Sequence, residues 1–486
     1  MKSRHDVQFW EKRKRSGRRK PWEVRWRVAD RSFSRSFLTA ALADKYRGDL
    51  VKAAGNPAEV FSIVTGEPES WERENVSFYA VAQDLAKRRW KDSASGTRKI
   101  RAENLAACTL AALDAREAKR NRPDERLLRR ALREWAFVPP CWGSEPEDVK
   151  AALAWAAAVS LPVSALEDAD ILERVLDGIG TKVDGGQCSA WTYSRHRGAL
   201  HGALGLARDR RLIASNPLDG RKPKRSYKTT QRVSPRQVPT LVQARALLEA
   251  VRQHGRRGAH FYGFFAVMYY AGCRPAEVIN LKADDLTLPE HGWGEITLTG
   301  GSPDLGSAGH RFTDDGLRHD PRGLKSRADN EVRVIPIPPD LVRILRDHMA
   351  EYPLAPDRRL FYLQDKASEK APRVTCLAYE RMWRRARRTA LGKAAASSKL
   401  AARPYDLRHG NASFLLGLRI APTEVARRLG HSVATLHGVY AHWLTDMVDQ
   451  ANAVIEAALA APEKPQVNGA KGGGLAAGQD AETRAA

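Results

Sequence analysis

The stretch "RPYDLRHGNASFLLGLRIAPTEVARRLGHSVATLHGVYAHW", residues 403–443, combines helix-forming apolar residues with many basic, histidine and tyrosine side chains. Pro422 suits the first position of a helix and Gly430 suits its end, so the pattern predicts that His431 is presented from a turn. Arg408 stands just before one predicted helix, and Tyr440 lies on another. Such a mixture is compatible with a solvated helix surface and with a reactive pocket, and the rest of the chain has to decide between them.

The composition favours a large globular protein with an anionic partner. At 486 residues the chain is too long for one compact core, so two or three domains are expected. A hydrophobic content of 43% excludes general disorder, and 81 Lys and Arg against 57 Asp and Glu give a net charge of +24. That potential suits nucleic acid, an anionic membrane surface or non-specific adhesion. The apolar stretches are too short or too interrupted to span a bilayer, so DNA or RNA is the favoured partner.

The cysteines and the first residues indicate the compartment. The cysteines are scattered, odd in number and never spaced as CxxC, which argues for a reducing cytoplasm and against a structural zinc site; they are Cys108, Cys141, Cys188, Cys273 and Cys376. The N-terminus carries no apolar signal-peptide core. We therefore expect a cytoplasmic protein.

Residues 1–55 predict a small sheet followed by a helix. The segments "VQFWEKRK", "WEVRWRV" and "RSFSRSF" alternate with a period of two, which favours three short strands. The second segment places its tryptophans and valines on one face and Arg25 and Arg27 on the other, where they can meet a groove or phosphates. Thr39 can then cap a helix. A disordered basic arm is the alternative interpretation.

Residues 76–216, after a linker over 56–75, show helical periodicity throughout. Ser77 is a plausible cap for the first helix. Basic residues such as Arg195 and Arg197 suggest an all-helical domain that clamps DNA, although a plain helical bundle fits this stretch equally well. The Pro-punctuated segment over 217–237 is strongly basic and predicts an extended linker along phosphates, with contacts from Lys222, Lys224 and Arg225.

Residues 238–461 form a third predicted unit of mixed α+β type, followed by a low-complexity tail over 462–486 that is expected to be disordered. Its first cluster is "AGCRPAEVINL", where a helix ends at Gly272 and Pro275 opens the next, so Arg274 projects from the junction. Its second cluster is "LKSRADNEVRVIPIP", where Lys325 begins a strand whose partner is "GEITLTG". Taken alone, Arg274 fits a common helix–turn–helix joint and Lys325 fits a solvated lysine.

Together with the opening stretch, these clusters resemble the tyrosine recombinase (phage integrase) family. The boxes "AGCRPAEVINL", "LKSRADNEVRVIPIP", "YDLRHGNASFLL", "LGHS" and "HGVYAHW" stand in family order and extend over most of the third unit. Each box is weak alone, whereas the ordered set is specific. The preceding units are similar to the arm-site-binding sheet and the helical core-binding domain of the larger family members. The resemblance thus implies a mainly α, multidomain chain with a mixed α+β catalytic domain.

The resemblance also assigns roles to individual residues. It implies that Arg274 and Arg408 are the two catalytic arginines, that Lys325 is the lysine of the β-hairpin, and that His431 is the family's histidine. It implies that Tyr440 is the nucleophile, which becomes covalently linked to a 3′-phosphate of DNA. No cofactor and no metal are expected.

The sequence departs from the family pattern at two places. The second arginine box usually begins with histidine, and this chain has Tyr405 three residues before Arg408. A phenol can donate a hydrogen bond to a phosphate or orient Tyr440, but with a reference pKa of about 10 it cannot act as a cationic acid. The connection before Lys325 is longer than a tight hairpin, which is expected to loosen the placement of that lysine.

The partners that the resemblance implies are double-stranded attachment-site DNA, further copies of the chain, an excisionase-like directionality factor and a host DNA-bending protein, all within a bacterial nucleoid. The helix after Tyr440, "MVDQANAVIEAALAA", would pack on a neighbouring subunit of a tetramer, with docking in cis as the alternative. Two other functions stay open. Residues 424–440 are close to the pattern of a DNA-binding helix-turn-helix regulator, and a related topoisomerase would share the reactive residues.

Overall fold

The computed structural model describes residues 6–56, 59–223, 233–324, 331–364, 371–395, 397–445 and 448–460. The chain is mainly helical and carries small antiparallel sheets. The predicted tail over 462–486 lies outside the described residues. No helix among the described ones is both long and apolar enough to cross a membrane.

The N-terminal part is a sheet backed by one helix. Its elements are β1 (Val7–Phe9), β2 (Arg13–Lys14), β3 (Trp22–Val28), β4 (Arg31–Phe37) and α1 (Ala40–Gly55). Strand β3 pairs antiparallel with the other three strands, and its alternation buries Val24, Trp26 and Val28, as the period of two predicts. The first predicted strand is split into β1 and β2. Thr39 caps α1, as expected.

The segment over 56–75 was predicted to be a linker, and for its described part this is wrong. Phe61 is buried in the core of the N-terminal sheet, with Trp71 packed against that core. The indole Nε1 of Trp26 donates a hydrogen bond to the carbonyl of Gly66 at 2.5 Å. The apolar face of a four-stranded sheet is larger than α1 alone can cover, so this segment completes the core.

The next part is built from helices that share one hydrophobic core. The helices of this core are α3 (Phe78–Arg88), α4 (Ser95–Ala111), α5 (Glu125–Ala131), α6 (Glu147–Val159), α7 (Ala169–Ile179) and α8 (Ala190–Asp209). The short helix α2 (Glu69–Glu74) precedes them in the chain. Ser77 caps α3 by accepting from the backbone N–H of Ala80, as predicted.

The third part surrounds a three-stranded sheet with helices. Its elements are α9 (Leu241–Arg252), α10 (Gly255–Tyr270), α11 (Pro275–Asn280), β5 (Leu286–Thr287), β6 (Gly294–Leu298), β7 (Gly300–Gly301), β8 (Arg322–Gly323), β9 (Arg333–Ile337), α12 (Pro339–Glu351), α13 (Cys376–Leu391), α14 (Asp406–Gly417), α15 (Pro422–Leu429), α16 (Val433–Thr445) and α17 (Val448–Ala460). The sheet order is β5-β6-β9, which confirms the predicted pairing of "GEITLTG" with the strand that runs into Pro336. That strand begins at Arg333, later than predicted.

The long connection over 302–321 is anchored rather than loose. Leu305 and Phe312 enter the hydrophobic core of the preceding helical part, and the ring of Phe312 stacks 6.5 Å from that of Trp90. Lys99 donates from Nζ to the carbonyl of Leu305 at 2.8 Å. Two stretches that are far apart in sequence therefore share one core.

Candidate active site

Gly272 shapes the turn from which Arg274 projects. Helix α10 ends at Tyr270, and Gly272 has a φ of +64°. A Cβ at this position would lie 2.6 Å from the side chains of Asn411 and Leu429, so both the backbone conformation and the space require glycine. Pro275 then begins α11, as predicted from its fixed φ.

Glu277 is a buried carboxylate between two arginines. Its Oε1 accepts from Arg274 Nη1 at 2.8 Å, and its two oxygens accept from the Nη atoms of Arg333 at 3.1 and 2.8 Å. The carboxylate also accepts from the backbone N–H of Arg274 at 2.7 Å, which caps α11. Burial alone would raise the pKa of Glu277, but the charge and hydrogen bonds of Arg333, helped by Arg408 and Arg274, lower it to about 2. Glu277 is therefore ionised at neutral pH.

Arg408 is completely buried, and within the described part of the chain its hydrogen bonds go only to neutral acceptors. Its guanidinium donates to the carbonyl of Gly272, to the carbonyl of Leu429 at 2.5 Å and to Nε2 of His431 at 2.8 Å. Its Nε has no hydrogen-bond partner among the described residues. Burial, with the nearby charge of Arg274, lowers the pKa of this guanidinium. The cation is thus held in place without a carboxylate bound to it.

His431 lies in the turn between α15 and α16. Gly430 ends α15 with a φ of +62°, and a Cβ there would lie 2.5 Å from Arg333 Nη1. The carbonyl of Gly430 accepts from Arg274 Nη2 at 3.2 Å. Because His431 Nε2 accepts from Arg408, its ring proton belongs on Nδ1, which is buried and unpartnered among the described residues. Burial and the neighbouring arginines lower the pKa of His431 to about 3, so the ring is neutral at physiological pH.

Tyr440 lies at a kink within α16. Its backbone has a φ of −116° and a ψ of 19°, which interrupts the helix at this residue. The side chain is fully buried, and its hydroxyl is 2.7 Å from Nδ1 of His409. Burial raises the pKa of the phenol well above its usual value, whereas the charge of Arg408 acts in the opposite direction. The kink and this hydrogen bond hold the phenol next to Arg408.

His409 and Arg333 are site residues that the sequence analysis missed. Arg333 could have been found, because it shares the inward face of β9 with Ile335 and Ile337, and a charged residue at an inward position needs a partner. His409 directly follows Arg408 on α14 and gives no such signal. Its contact with Tyr440 depends on how α14 and α16 pack.

The structure brings Arg274, Arg408, His431 and Tyr440 together. Tyr405 lies beside them at the start of α14, where its ring centre is 5.2 Å from that of His409. Lys325 lies outside the described residues; Leu324, immediately before it, is packed in the core of the third part.

Two of the predicted DNA-binding arginines lie over tryptophan rings. The guanidinium carbon of Arg25 is 5.3 Å from the ring centre of Trp10, and that of Arg195 is 4.5 Å from the ring centre of Trp191. Arg27 is half-buried on β3. Such stacking orients the planar guanidinium and leaves its N–H donors available at a surface.

The remaining DNA-binding candidates differ in their surroundings. Arg197 donates from Nη2 to two backbone carbonyls, at 3.5 and 2.5 Å, and so holds the beginning of the basic linker. Lys222 is exposed. Lys224 and Arg225 lie outside the described residues. DNA contacts by all seven candidates stay predictions.

Comparison with solved structures finds integrases and site-specific recombinases, several of them in complex with DNA. The Tn1549 transposon integrase in complex with a circular intermediate DNA has 16% identity and a TM-score of 0.47, over 72% of this chain and 99% of that chain. The XerH site-specific recombinase bound to palindromic difH substrate has 17% identity and a TM-score of 0.41, over 79% and 97%. A lambda integrase dimer bound to a COC′ core site has 12% identity and a TM-score of 0.39, over 64% and 76%.

No protein-family model and no curated protein matches the sequence. Since the reported TM-scores are all below 0.5, the similarities to solved structures do not by themselves assign a function. The site's own geometry has to support one.

Proposed function

We propose that the chain is a site-specific DNA recombinase of the tyrosine recombinase class, which cuts and rejoins DNA through a 3′-phosphotyrosine on Tyr440. The observation that carries this proposal is the cluster of cationic and N–H donor groups beside Tyr440 whose charge and hydrogen bonds are only partly satisfied. Two buried N–H donors, Arg408 Nε and His431 Nδ1, have no partner among the described residues. Buried donors are rarely left unpaired, and an anionic phosphate oxygen is the acceptor that would satisfy both hydrogen bonding and charge.

The proposed chemistry uses these groups at the transition state. Attack by the Tyr440 oxygen places additional negative charge on the non-bridging oxygens of the phosphodiester. Arg274 and Arg408 would hold those oxygens by charge-assisted hydrogen bonds in a site with little water, where such bonds are strong. His431, neutral because of its lowered pKa, would orient the phosphate through Nδ1–H rather than act as a cationic acid.

The leaving 5′ oxygen needs a proton, and we assign its delivery to Lys325. The phosphate bond energy is retained in the protein–DNA linkage, so religation needs no ATP. The arginines would supply the charge neutralisation that a metal ion supplies in other phosphoryl transfers. The proposal therefore includes no cofactor.

The rest of the chain would bind DNA and further copies of the protein. We assign arm-site binding to residues 1–55, core-site binding to 76–216, phosphate contacts to the linker over 217–237, and catalysis to 238–461. Helix α17 exposes Ile455 and Leu459, which supports packing against a neighbouring subunit in a DNA-bound homotetramer. An excisionase-like factor and a host DNA-bending protein would determine the direction of recombination when a phage or mobile element integrates into a bacterial chromosome.

A covalent-capture experiment tests the proposed function. The full-length protein is incubated with sheared genomic DNA of its source organism, including the region flanking its gene; the protein is then denatured and covalently attached DNA is sequenced. A recombinase gives adducts at defined sites, and Tyr440→Phe gives none. A helix-turn-helix regulator that uses α15 and α16 binds DNA without forming adducts, and that result would overturn the proposal.

The recovered sequences then provide a nicked suicide duplex for quantitative work. Deletion of residues 1–55 should spare cleavage of this core site and impair complete integration, measured with a plasmid carrying both attachment sites. Unchanged integration would remove the assigned role of the N-terminal sheet. Relaxation of supercoiled plasmid without exchange between sites would indicate the topoisomerase alternative.

A further inference from the structure

We propose that His409 is the proton acceptor for Tyr440, and thus a catalytic residue in addition to those named above. This inference rests on the proposed function, because it assigns the base for the same nucleophile. The observation that carries it is the 2.7 Å contact between His409 Nδ1 and the hydroxyl of Tyr440. That distance is within the range in which a positioned base can take a proton directly.

The local geometry fixes the imidazole in this position. His409 lies in the first turn of α14, next to the completely buried Arg408. Its ring packs against that of Tyr405 at 5.2 Å and against that of Tyr440 at 5.8 Å. Packing between two aromatic rings restricts rotation of the imidazole, so Nδ1 stays directed at the phenol oxygen.

The electrostatic surroundings keep the imidazole unprotonated, so its lone pair is available, and the negative charge of a bound phosphate would favour its protonation during the reaction. Burial, with the charges of Arg403 and Arg408, lowers the pKa of His409 to about 4. The other titratable groups near it are the phenols of Tyr405 and Tyr440 and the imidazole of His431, which is neutral at this pH. His409 is therefore neutral near pH 7, and with its ring proton on Nε2 the lone pair of Nδ1 faces Tyr440. Because burial raises the pKa of Tyr440, the phenol needs such a base in order to ionise.

The proposed step moves one proton and exchanges one phosphate ester bond for another. The O–H bond of Tyr440 breaks and its proton moves to Nδ1 of His409, which becomes an imidazolium. The phenol oxygen forms a bond to phosphorus, and the bond from phosphorus to the 5′ oxygen breaks with its electron pair on that oxygen. The 5′ oxygen takes its proton from a separate donor, assigned above to Lys325. In religation the imidazolium returns its proton to the Tyr440 oxygen, and the bound phosphate compensates the transient cation.

This assignment also gives a reason why the chain can function with tyrosine at position 405. Positions 405 and 409 are four residues apart around the start of α14 and so lie on the same side of the helix. An imidazole one turn further along can supply the nitrogen base that a phenol at 405 lacks. Tyr405 then serves as a packing partner of His409.

The test compares His409→Asn with the wild type in single-turnover cleavage of a nicked suicide duplex. The sequence of that duplex is the one recovered by covalent capture. An asparagine amide can occupy the place of Nδ1 and keep a hydrogen bond to the phenol, but it cannot take a proton. We expect adduct formation to slow by about 10²–10⁴-fold with DNA affinity unchanged. His437→Asn, an exposed histidine on α16, is the matched control and should keep the wild-type rate.

The pH dependence separates a base from a merely structural residue. The wild-type rate should be flat from about pH 6 to 8, because His409 is already neutral there, while the His409→Asn rate should rise about tenfold per pH unit as hydroxide replaces the lost base. A slow variant with a flat profile would contradict the proposal. If His409→Asn folds poorly by thermal unfolding, His409→Gln carries the same prediction.

A sulfur-substituted substrate distinguishes a role of His409 as general base from a role as general acid. With sulfur in place of the bridging 5′ oxygen, the leaving group needs no proton, so Lys325→Ala should recover and His409→Asn should not. Recovery of His409→Asn would show that His409 serves the leaving group and would overturn the assignment. If the wild-type protein itself forms no adduct, the proposed function fails, which is distinguishable from failure of this inference.

Discussion

Two buried arginines, Arg98 and Arg408, differ in what compensates their charge. Arg98 lies where the connection over 302–321 meets the helical part. Its guanidinium donates to the carbonyls of Trp90 and Phe312 at 2.9 and 3.0 Å and to both carboxylate oxygens of Asp314. Arg408 is more deeply buried, and among the described residues it donates only to carbonyls and to a neutral imidazole. The same residue type is paired with a carboxylate in one place and left without one in the other.

The difference separates a structural cation from a functional one. A buried charge is costly unless it is paired, so a cation that remains unpaired in a core is expected to bind an anionic ligand. Within the site, Arg333 is of the first kind, because both of its Nη atoms donate to Glu277. In our proposal Arg408 is of the second kind. Burial alone would not distinguish them.

The largest effect on stability is expected for Glu277→Gln. This change leaves Arg274 and Arg333 without their shared carboxylate, so the free energy of unfolding should fall by about 3–5 kcal/mol in denaturant titration. Because the pKa of Glu277 is depressed in the folded state, the stabilisation is fully present above about pH 4.5 and is lost as the pH falls toward about 2. A difference between wild type and variant that stays constant over this range would contradict the paired arrangement.

The next largest effect is expected for Arg408→Met, and it concerns catalysis. Loss of this donor should slow adduct formation by about 10²–10³-fold while DNA affinity in filter binding persists. Inorganic phosphate should raise the Tm of the wild type and not that of the variant, because only the wild type has the unpaired cation. Equal loss of affinity and of adduct would mean that Arg408 is only a phosphate anchor.

A smaller effect is expected for Arg98→Met at the junction. The buried carbonyls of Trp90 and Phe312 lose their charged donor, which should lower the free energy of unfolding by about 1.5–3 kcal/mol. Phosphate should still raise the Tm of this variant, in contrast to Arg408→Met. If phosphate failed to do so, the distinction between the two arginines would be lost.

The smallest effect is expected for Asp314→Asn. The side chain of Asp314 is 80% exposed, so water screens its pairing with Arg98 and the free energy of unfolding should change by less than about 1 kcal/mol. A much larger loss would mean that Asp314, rather than the backbone carbonyls, holds the junction together. Thermal unfolding of Arg98→Met, Asp314→Asn and the double variant measures how the two contributions combine.

Local chemistry in the sequence determined where elements begin, end and expose their faces. Pro275 and Pro422 open helices, Gly430 closes one, and the alternation in β3 buries its valines and Trp26, because these outcomes depend on backbone dihedral preferences and on side-chain period. The order of the sequence motifs along the chain led to the interpretation of Arg274, Arg408, His431 and Tyr440 as one site.

Only the tertiary structure decided which side chains meet across large sequence separations. His409 reaches Tyr440 over 31 positions, Arg333 reaches Glu277 over 56, and Arg98 reaches Phe312 over 214. The packing of the segment over 56–75 on the N-terminal sheet is of the same kind. Such contacts follow from how whole helices and strands fill a shared core, and neither residue of a pair carries in its own neighbourhood the information about its partner.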